Sequence, residues 1–316
     1  MPTSRNRPKK TTASSNLPLK PLEPFPFFSL YFLFGGGMKL ILTFLFLLAI
    51  VIPAQSQDLY GQAKALFDEG KYEEAIAHLD KIIEQDPNSK NAYLLRGTSY
   101  DYIGQYDLAL EDYTRAIQID PQFVAAYNNR GSVYITLEQY ENGLPDLNKA
   151  LELNPENANS YYNRAIINTH LAKSAEVITD AHHYLDVQGC KDPRGQNIIL
   201  LSFFAYRELG KFDEATNFLK RTSTICDSSI WPYPVFKYIL GDVTANELLG
   251  QAKNEQQKAD AQTFIIYSHY QEPDGKSPEA IQELQKVVEL NLRDSVSYVL
   301  AKKLLHTFEP IVPPES

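Results

Sequence analysis

Methionine is nearly absent. The 316-residue chain has two, Met1 and Met38, so nothing after residue 38 carries one. Tryptophan occurs once and cysteine twice, and the most apolar run, Leu40 to Ile52, is only thirteen residues long. As a helix that run spans roughly 20 Å, short of the ~30 Å hydrocarbon layer a stable membrane span must cross. Basic residues are outnumbered 30 to 39, a net charge of −9, so the chain lacks the footprint of a nucleic-acid binder. Also missing are a nucleophile elbow with Ser-His-Asp ordering, an HExxH pair and a Gly-rich phosphate loop. A non-catalytic protein is therefore expected, with no metal, cofactor or small-molecule substrate; the alternative is a helical domain with an unrecognised hydrolytic site. What remains, 44% hydrophobic and 22% charged, is enough to bury a sizeable core in a soluble chain.

Met38 opens the segment MKLILTFLFLLAIVIPAQSQ: one charge at Lys39, the apolar run, a breaker at Pro53, then small residues. That order reads as a secretory signal peptide over residues 38–57, cut after Ser56 or Gln57. No cysteine stands at the junction, which excludes lipid attachment there. Residues 1–37 hold Arg5, Arg7, Lys9, Lys10 and Lys20 against Glu23 and end in Gly35-Gly36-Gly37. They read as a disordered leader from a start placed too early; the alternative is a two-part anchor of Phe25 to Phe34 with Leu40 to Ile52. Without residues 1–57 the chain keeps 24 basic and 38 acidic residues, a net charge of −14 that repels anionic lipid and nucleic acid. The mature chain is expected to lack a membrane span and to be periplasmic or secreted.

The sequence repeats itself every 34 residues. Pro87, Pro121 and Pro155 keep that interval, as do Tyr93, Tyr127 and Tyr161, then Arg96, Arg130 and Arg164, and Gly70 and Gly104. Within a unit, large apolar residues return every three or four positions from Ala92 to Ile103 and again from Leu108 to Ile119. That stripe predicts two amphipathic helices joined at Gly104-Gln105. Gly97 with Ala109, and Gly131 with Gly143, let the paired helices approach while Tyr100, Tyr113, Tyr134 and Leu147 fill the space around the contact. Each proline ends a second helix, because the residue before it is pushed out of the helical region.

Tyr93, Arg96-Gly97, Tyr100, Gly104, Tyr106, Ala109, Tyr113, Ala116 and Asp120-Pro121 together resemble the tetratricopeptide repeat motif across the whole unit. The resemblance implies an all-α, right-handed solenoid of about six stacked helical hairpins, starting near Ser56, Lys90, Val124, Ala158, Gln196 and Ala261, with repeats one to five filling 58–229. Residues 230–260 interrupt the register: Trp231-Pro232-Tyr233-Pro234 is expected to run extended, Val235 to Leu240 to make a short helix, and Thr244 with Glu247 to form a capping box. A degenerate sixth repeat and a helix from Leu292 to Phe308, covering the open end of the stack, complete 261–308; 309–316 is a tail. The C-terminal half also resembles bacterial periplasmic repeat lipoproteins that act as adaptors for proteases and cell-wall hydrolases, which implies, as the alternative to groove binding, docking of such an enzyme through the C-terminal helices.

For the family a concave groove lined by the first helices holds the ligand, a protein or extended peptide. By that analogy the partner-binding residues are Asn91, Asp101, Tyr102, Asn128, Asn129, Tyr162, Asn163 and His170. Asn129 and Asn163 lie one period apart, and each amide can pair with a peptide backbone; the same asparagines could equally just solvate a polar face. Arg96, Arg130 and Arg164 are each followed sixteen residues later by an acid, Asp112, Asp146 and Asp180, which predicts internal ion pairs rather than an anion ladder. His182 and His183 are adjacent and so point apart, unsuited to chelation, and His183 stands within reach of a local hydrogen bond to Asp180. Cys190 and Cys226 are 36 residues apart; in an exported chain they could bridge or stay free.

Overall fold

The computed structural model describes residues 59–269, 277–290 and 295–308; the leader, the export signal and the tail lie outside the described residues. Among the described residues there are fifteen helices and no strand. They pair as hairpins: α1 (59–68) with α2 (Tyr72–Gln85), α3 (Lys90–Tyr102) with α4 (Tyr106–Ile119), and α5 (Val124–Thr136) with α6 (Tyr140–Leu153). Then follow α7 (Ala158–His170) with α8 (Ser174–Gln188), and α9 (Pro193–Glu208) with α10 (Phe212–Ser223). Consecutive hairpins stack side by side into a solenoid.

The small residues sit where the helices touch. A methyl group added at Gly97 would come 2.9 Å from the Tyr113 ring, and one at Gly143 would come 2.9 Å from Ile167 and 3.0 Å from Tyr134. Neither position has room for a side chain without moving packed neighbours. The residues before the three prolines, Asp86, Asp120 and Asn154, leave the helix with φ near −134 to −142°. Their side chains then accept the backbone N–H of Asn88, Gln122 and Glu156 at 3.0, 2.9 and 3.0 Å. That Asx turn sets the direction of each new hairpin.

Between helices of a hairpin the chain passes through a left-handed residue. In units one, two and five it is glycine: Gly70 (φ +77°), Gly104 (+76°) and Gly210 (+72°). In units three and four the same register holds Glu138 (φ +58°) and Ala172 (+54°), so the backbone keeps the turn where the sequence drops the residue that makes it cheap.

Past the fifth hairpin the Trp231–Pro234 segment does not run extended. It turns through a cis Trp231-Pro232 bond, and α11 (Tyr233–Ile239) starts within it, with Pro234 in the first helical turn, where a missing N–H breaks no bond. The capping box of Thr244 and Glu247 opens α12 (Ala245–Gln251). The sixth hairpin, α13 (Glu255–His269) and α14 (Pro278–Glu289), begins six residues before Ala261. Cys190 and Cys226 form a disulfide joining the turn before α9 to the end of the fifth hairpin.

The last helix, α15 (Val296–Phe308), departs from its expected place over the end of the stack. It packs on α13 and α14, but its other side lies against α7 and α9. Val296, Ser297, Tyr298, Val299, Leu300, Ala301 and Leu304 are buried on all sides of it, as befits a helix inserted into an interior. One hydrophobic core accordingly runs from Ile135 to Leu304. The first hairpins hold two separate smaller clusters, around Leu79 and around Tyr113.

Candidate functional site

The inside of the curve is the face where helices of successive hairpins touch. The first helices pack against one another, α3 on α5, α5 on α7 and α7 on α9, and the second helices scarcely do, so the first helices line the inner face. On the side turned toward the second helices, the arginines tie the hairpins together. Arg96 grips Asp112 through two bonds of 2.8 and 2.7 Å, Arg130 grips Asp146 through two of 2.7 Å, and Arg164 reaches Asp180 at 2.6 Å. Each guanidinium also reaches back sixteen residues into the preceding hairpin, to Asp80 at 2.6 Å, Thr114 at 2.9 Å and Asn148 at 2.8 Å. Asp80, Thr114 and Asn148 themselves repeat every 34 residues, so each arginine ties its own two helices together and joins two repeats. Burial raises the Asp112 and Asp180 carboxyls above the ordinary carboxylate range, and the facing guanidinium in each case pulls back against it.

Of the residues expected to contact a partner, the asparagines come together. Asn128 accepts the Ser160 hydroxyl at 3.0 Å and the Asn163 amide at 3.2 Å, and donates to Asn129 at 3.2 Å; Asn129 donates on to the Thr98 hydroxyl at 3.4 Å. Asn129 and Asn163 are thus linked through Asn128, and the amides form a polar strip across α3, α5 and α7 instead of standing as separate rungs. Asn91 is exposed at the start of α3, and Asp101 is half-buried near its end. Tyr102 is 63% exposed; its ring stacks on Tyr72 at 4.8 Å and meets Phe67 edge-on at 5.4 Å. These three rings make an apolar platform beside the strip.

Two expected groove residues are not available. Tyr162 is buried, packed against Tyr184 with the Arg194 guanidinium over its ring. His170 stacks on Tyr140 at 4.3 Å and lies close to α15. Burial, then the positive charge of Lys302, lowers its pKa to about 4, and its Nε2 has no hydrogen-bond partner among the described residues. Tyr162 is covered by α8 and α9; beside His170 runs α15, whose Tyr298 hydroxyl donates to Glu138 at 2.8 Å, whose Lys302 pairs with the same carboxylate and whose Lys303 pairs with Glu208 at 2.5 Å. His183 does not bond Asp180; it stacks on Tyr161 at 5.1 Å. Among the described residues no group of three or more His, Cys, Asp or Glu could hold a metal ion, and no helix is long and apolar enough to cross a membrane.

Sequence reasoning passed over Phe67, Tyr72, Glu138, Glu208, Tyr298, Lys302 and Lys303. Two signals were present. Tyr72 stands two periods before Tyr140, as Tyr102 does before His170, so the exposed Tyr72–Tyr102 stack and the covered Tyr140–His170 stack occupy one register. Glu138 stands where a glycine is needed.

Family models of the TPR repeat match residues 63–101 and 102–138, and tetratricopeptide repeat models match 124–157 and 147–179. These matches stop short of Trp231, so the likeness of the C-terminal half to periplasmic adaptors has no counterpart among them. No curated protein matches. Among solved structures, one of MamA is 19% identical at a TM-score of 0.49 over 60% of this chain and 96% of that one. MamA from Desulfovibrio magneticus RS-1 is 16% identical at 0.48, over 54% and 94%. YrrB, described as a TPR protein with an unusual peptide-binding site, is 19% identical at 0.47, over 58% and 91%.

Proposed function

We propose that this chain, whose residues 63–179 are tetratricopeptide repeats, is an exported, non-catalytic scaffold that binds a segment of another protein on the open inner face of repeats one to three. One observation carries the reading: the inner face is covered by α15 over α7 and α9, while α3 and α5 carry an amide strip and, beside it, rings from α1, α2 and α3 form an aromatic platform topped by the exposed Tyr102. Amides pair with a peptide backbone whatever its sequence, and the Phe67, Tyr72 and Tyr102 rings supply apolar area at little entropic cost. The Cys190–Cys226 bridge supports an oxidising, extracytoplasmic destination, in keeping with the leader at 38–57.

A photo-crosslinking residue placed at Tyr102 or Asn129 in cells that export the chain tests this. Both positions are expected to yield the same adduct, lost when Asn128→Ala or Tyr72→Ala is added, while Gln118 on the outer side of α4 yields none. Adducts from Gln118 with none from the inner positions would move the partner to the outer face.

A further inference from the structure

We propose that the inner face of repeats three to five is a receptor for a helix that is apolar nearly all round and carries a lysine pair, and that α15 is its resident, displaceable occupant. A helix of the same chemistry in another protein would then gain the site by displacing α15. This rests on the reading of the inner face as the binding face, but concerns the half that reading leaves closed.

The receiving side supplies apolar surface from α7 and α9 and an acid at each of two hairpin turns, Glu138 and Glu208. The occupant supplies the complement: a helix apolar nearly all round, with a tyrosine and, four and five residues on, a lysine pair aimed at those acids.

Glu138 is the residue through which the receiving side grips the helix. It sits at φ +58° where three other repeats place glycine, and an L-residue there costs about 1 kcal/mol. The turn itself does not call for an acid, since Ala172 makes the same turn one repeat later. What the carboxylate does is take the Tyr298 hydroxyl and the Lys302 ammonium.

The seat is also incompletely satisfied. His170 lies beside α15 with a buried Nε2 that no group among the described residues bonds, and an unmade hydrogen bond of that kind is a standing cost. A helix offering a hydroxyl or amide opposite His170 would bind better than the resident one. The lysine anchors are only half-buried, with side chains 38% and 29% exposed, so salt screens them. While α15 is seated, an incoming helix binds more weakly by the fraction of time the site is open.

The probe is a fluorescein-labelled peptide of residues 295–308, SVSYVLAKKLLHTF, added to the full chain. Lys302→Glu with Lys303→Glu sets α15 against Glu138 and Glu208 and leaves the receptor untouched. The folded double variant is expected to bind the peptide at least tenfold more tightly than the unaltered chain. Adding Glu138→Lys and Glu208→Lys, which reverses the charges on both sides, is expected to reseat α15 and abolish that gain. Hydrogen exchange on the unaltered chain gives a second measure that needs no variant: amides of 296–308 should exchange faster than those of α7 and α9, and faster still in 0.5 M salt. A folded double variant that binds no better than the unaltered chain would overturn the proposal. So would α15 amides that exchange only when α7 and α9 do, at either salt concentration, and this decides the matter even where the double variant fails to fold. Crosslinks from Tyr102 and Asn129 are unaffected by either result, so this idea and the open-face reading can fail separately.

Discussion

Arg164→Ala tests whether the repeating arginines hold the fold. Asp180 is the most enclosed of the three acids, its side chain 1% exposed, and its partners are the Arg164 guanidinium and the Asn168 amide at 3.1 Å. Removing the arginine leaves a buried carboxylate held by one neutral donor and strips Asn148 of its link to the next repeat. Breaking a buried pair from one side costs about 3–5 kcal/mol, or about 6–20 °C of melting temperature for a chain of this size. The pH dependence follows from the raised Asp180 carboxyl, which burial lifts and Arg164 opposes. Without the guanidinium it rises further. A group that binds its proton more tightly in the native state stabilises fully below the unfolded carboxylate range, and that stability is lost as pH rises through the native value. The gap between variant and parent should therefore widen from pH 4 to pH 7. Arg164→Ala with Asp180→Asn removes the stranded charge, keeps an acceptor for Asn168, and should recover at least 1 kcal/mol of the loss at pH 7. Guanidinium titrations followed by helical circular dichroism, with Trp231 fluorescence reporting the C-terminal half, measure all three proteins. A single-variant loss below about 1 kcal/mol, or a double variant no more stable than the single, would refute the clamp; unchanged stability with lost partner binding would make the arginines a ligand site.

Three further outcomes follow from particular positions. Reducing Cys190–Cys226 reopens a 36-residue separation, worth about 3–4 kcal/mol on the chain-entropy account, so reductant should lower the melting temperature of the parent and leave a Cys190→Ala, Cys226→Ala variant unchanged. Ala172→Gly relieves an exposed left-handed residue and should raise stability by about 0.5–1 kcal/mol in thermal melts, whereas Glu138→Gly should lower it, because the same backbone relief is outweighed by the lost Tyr298 and Lys302 contacts. His170, lowered to about 4 by burial and by Lys302, with Lys303 adding and Glu138 opposing, should stay neutral in an NMR titration down to pH 5; its contribution, present above the unfolded histidine range near 6.5, is lost as pH falls through that window, and a shift back toward 6.5 is expected in the Lys302→Glu, Lys303→Glu variant.

How much of this was legible depended on whether the physics is local. The hairpins were readable because Gly97, Gly143 and the prolines act on residues within one period, and the spacing between Arg164 and Asp180 fits inside one hairpin. The backward reach of Arg164 to Asn148 is equally periodic, but a polar residue at the end of a long side chain's reach looks like any surface residue until the next repeat is stacked on it. The site was harder. The family pattern implies that every first helix faces an open interior, but Tyr162 is covered by Tyr184 and Arg194 of its own and the next hairpin, and α15, some 130 residues later in the chain than His170, lies beside His170. Even so, α9 carried a warning: Ile198 to Ala205 is apolar almost without break, and an amphipathic helix with one covered face has no use for that pattern, while a helix covered on both faces requires it. Glu138 makes the same point from the other side. A residue that breaks the local rule at a turn the backbone still makes is held there by something distant, and in this chain the distant element is the helix it grips.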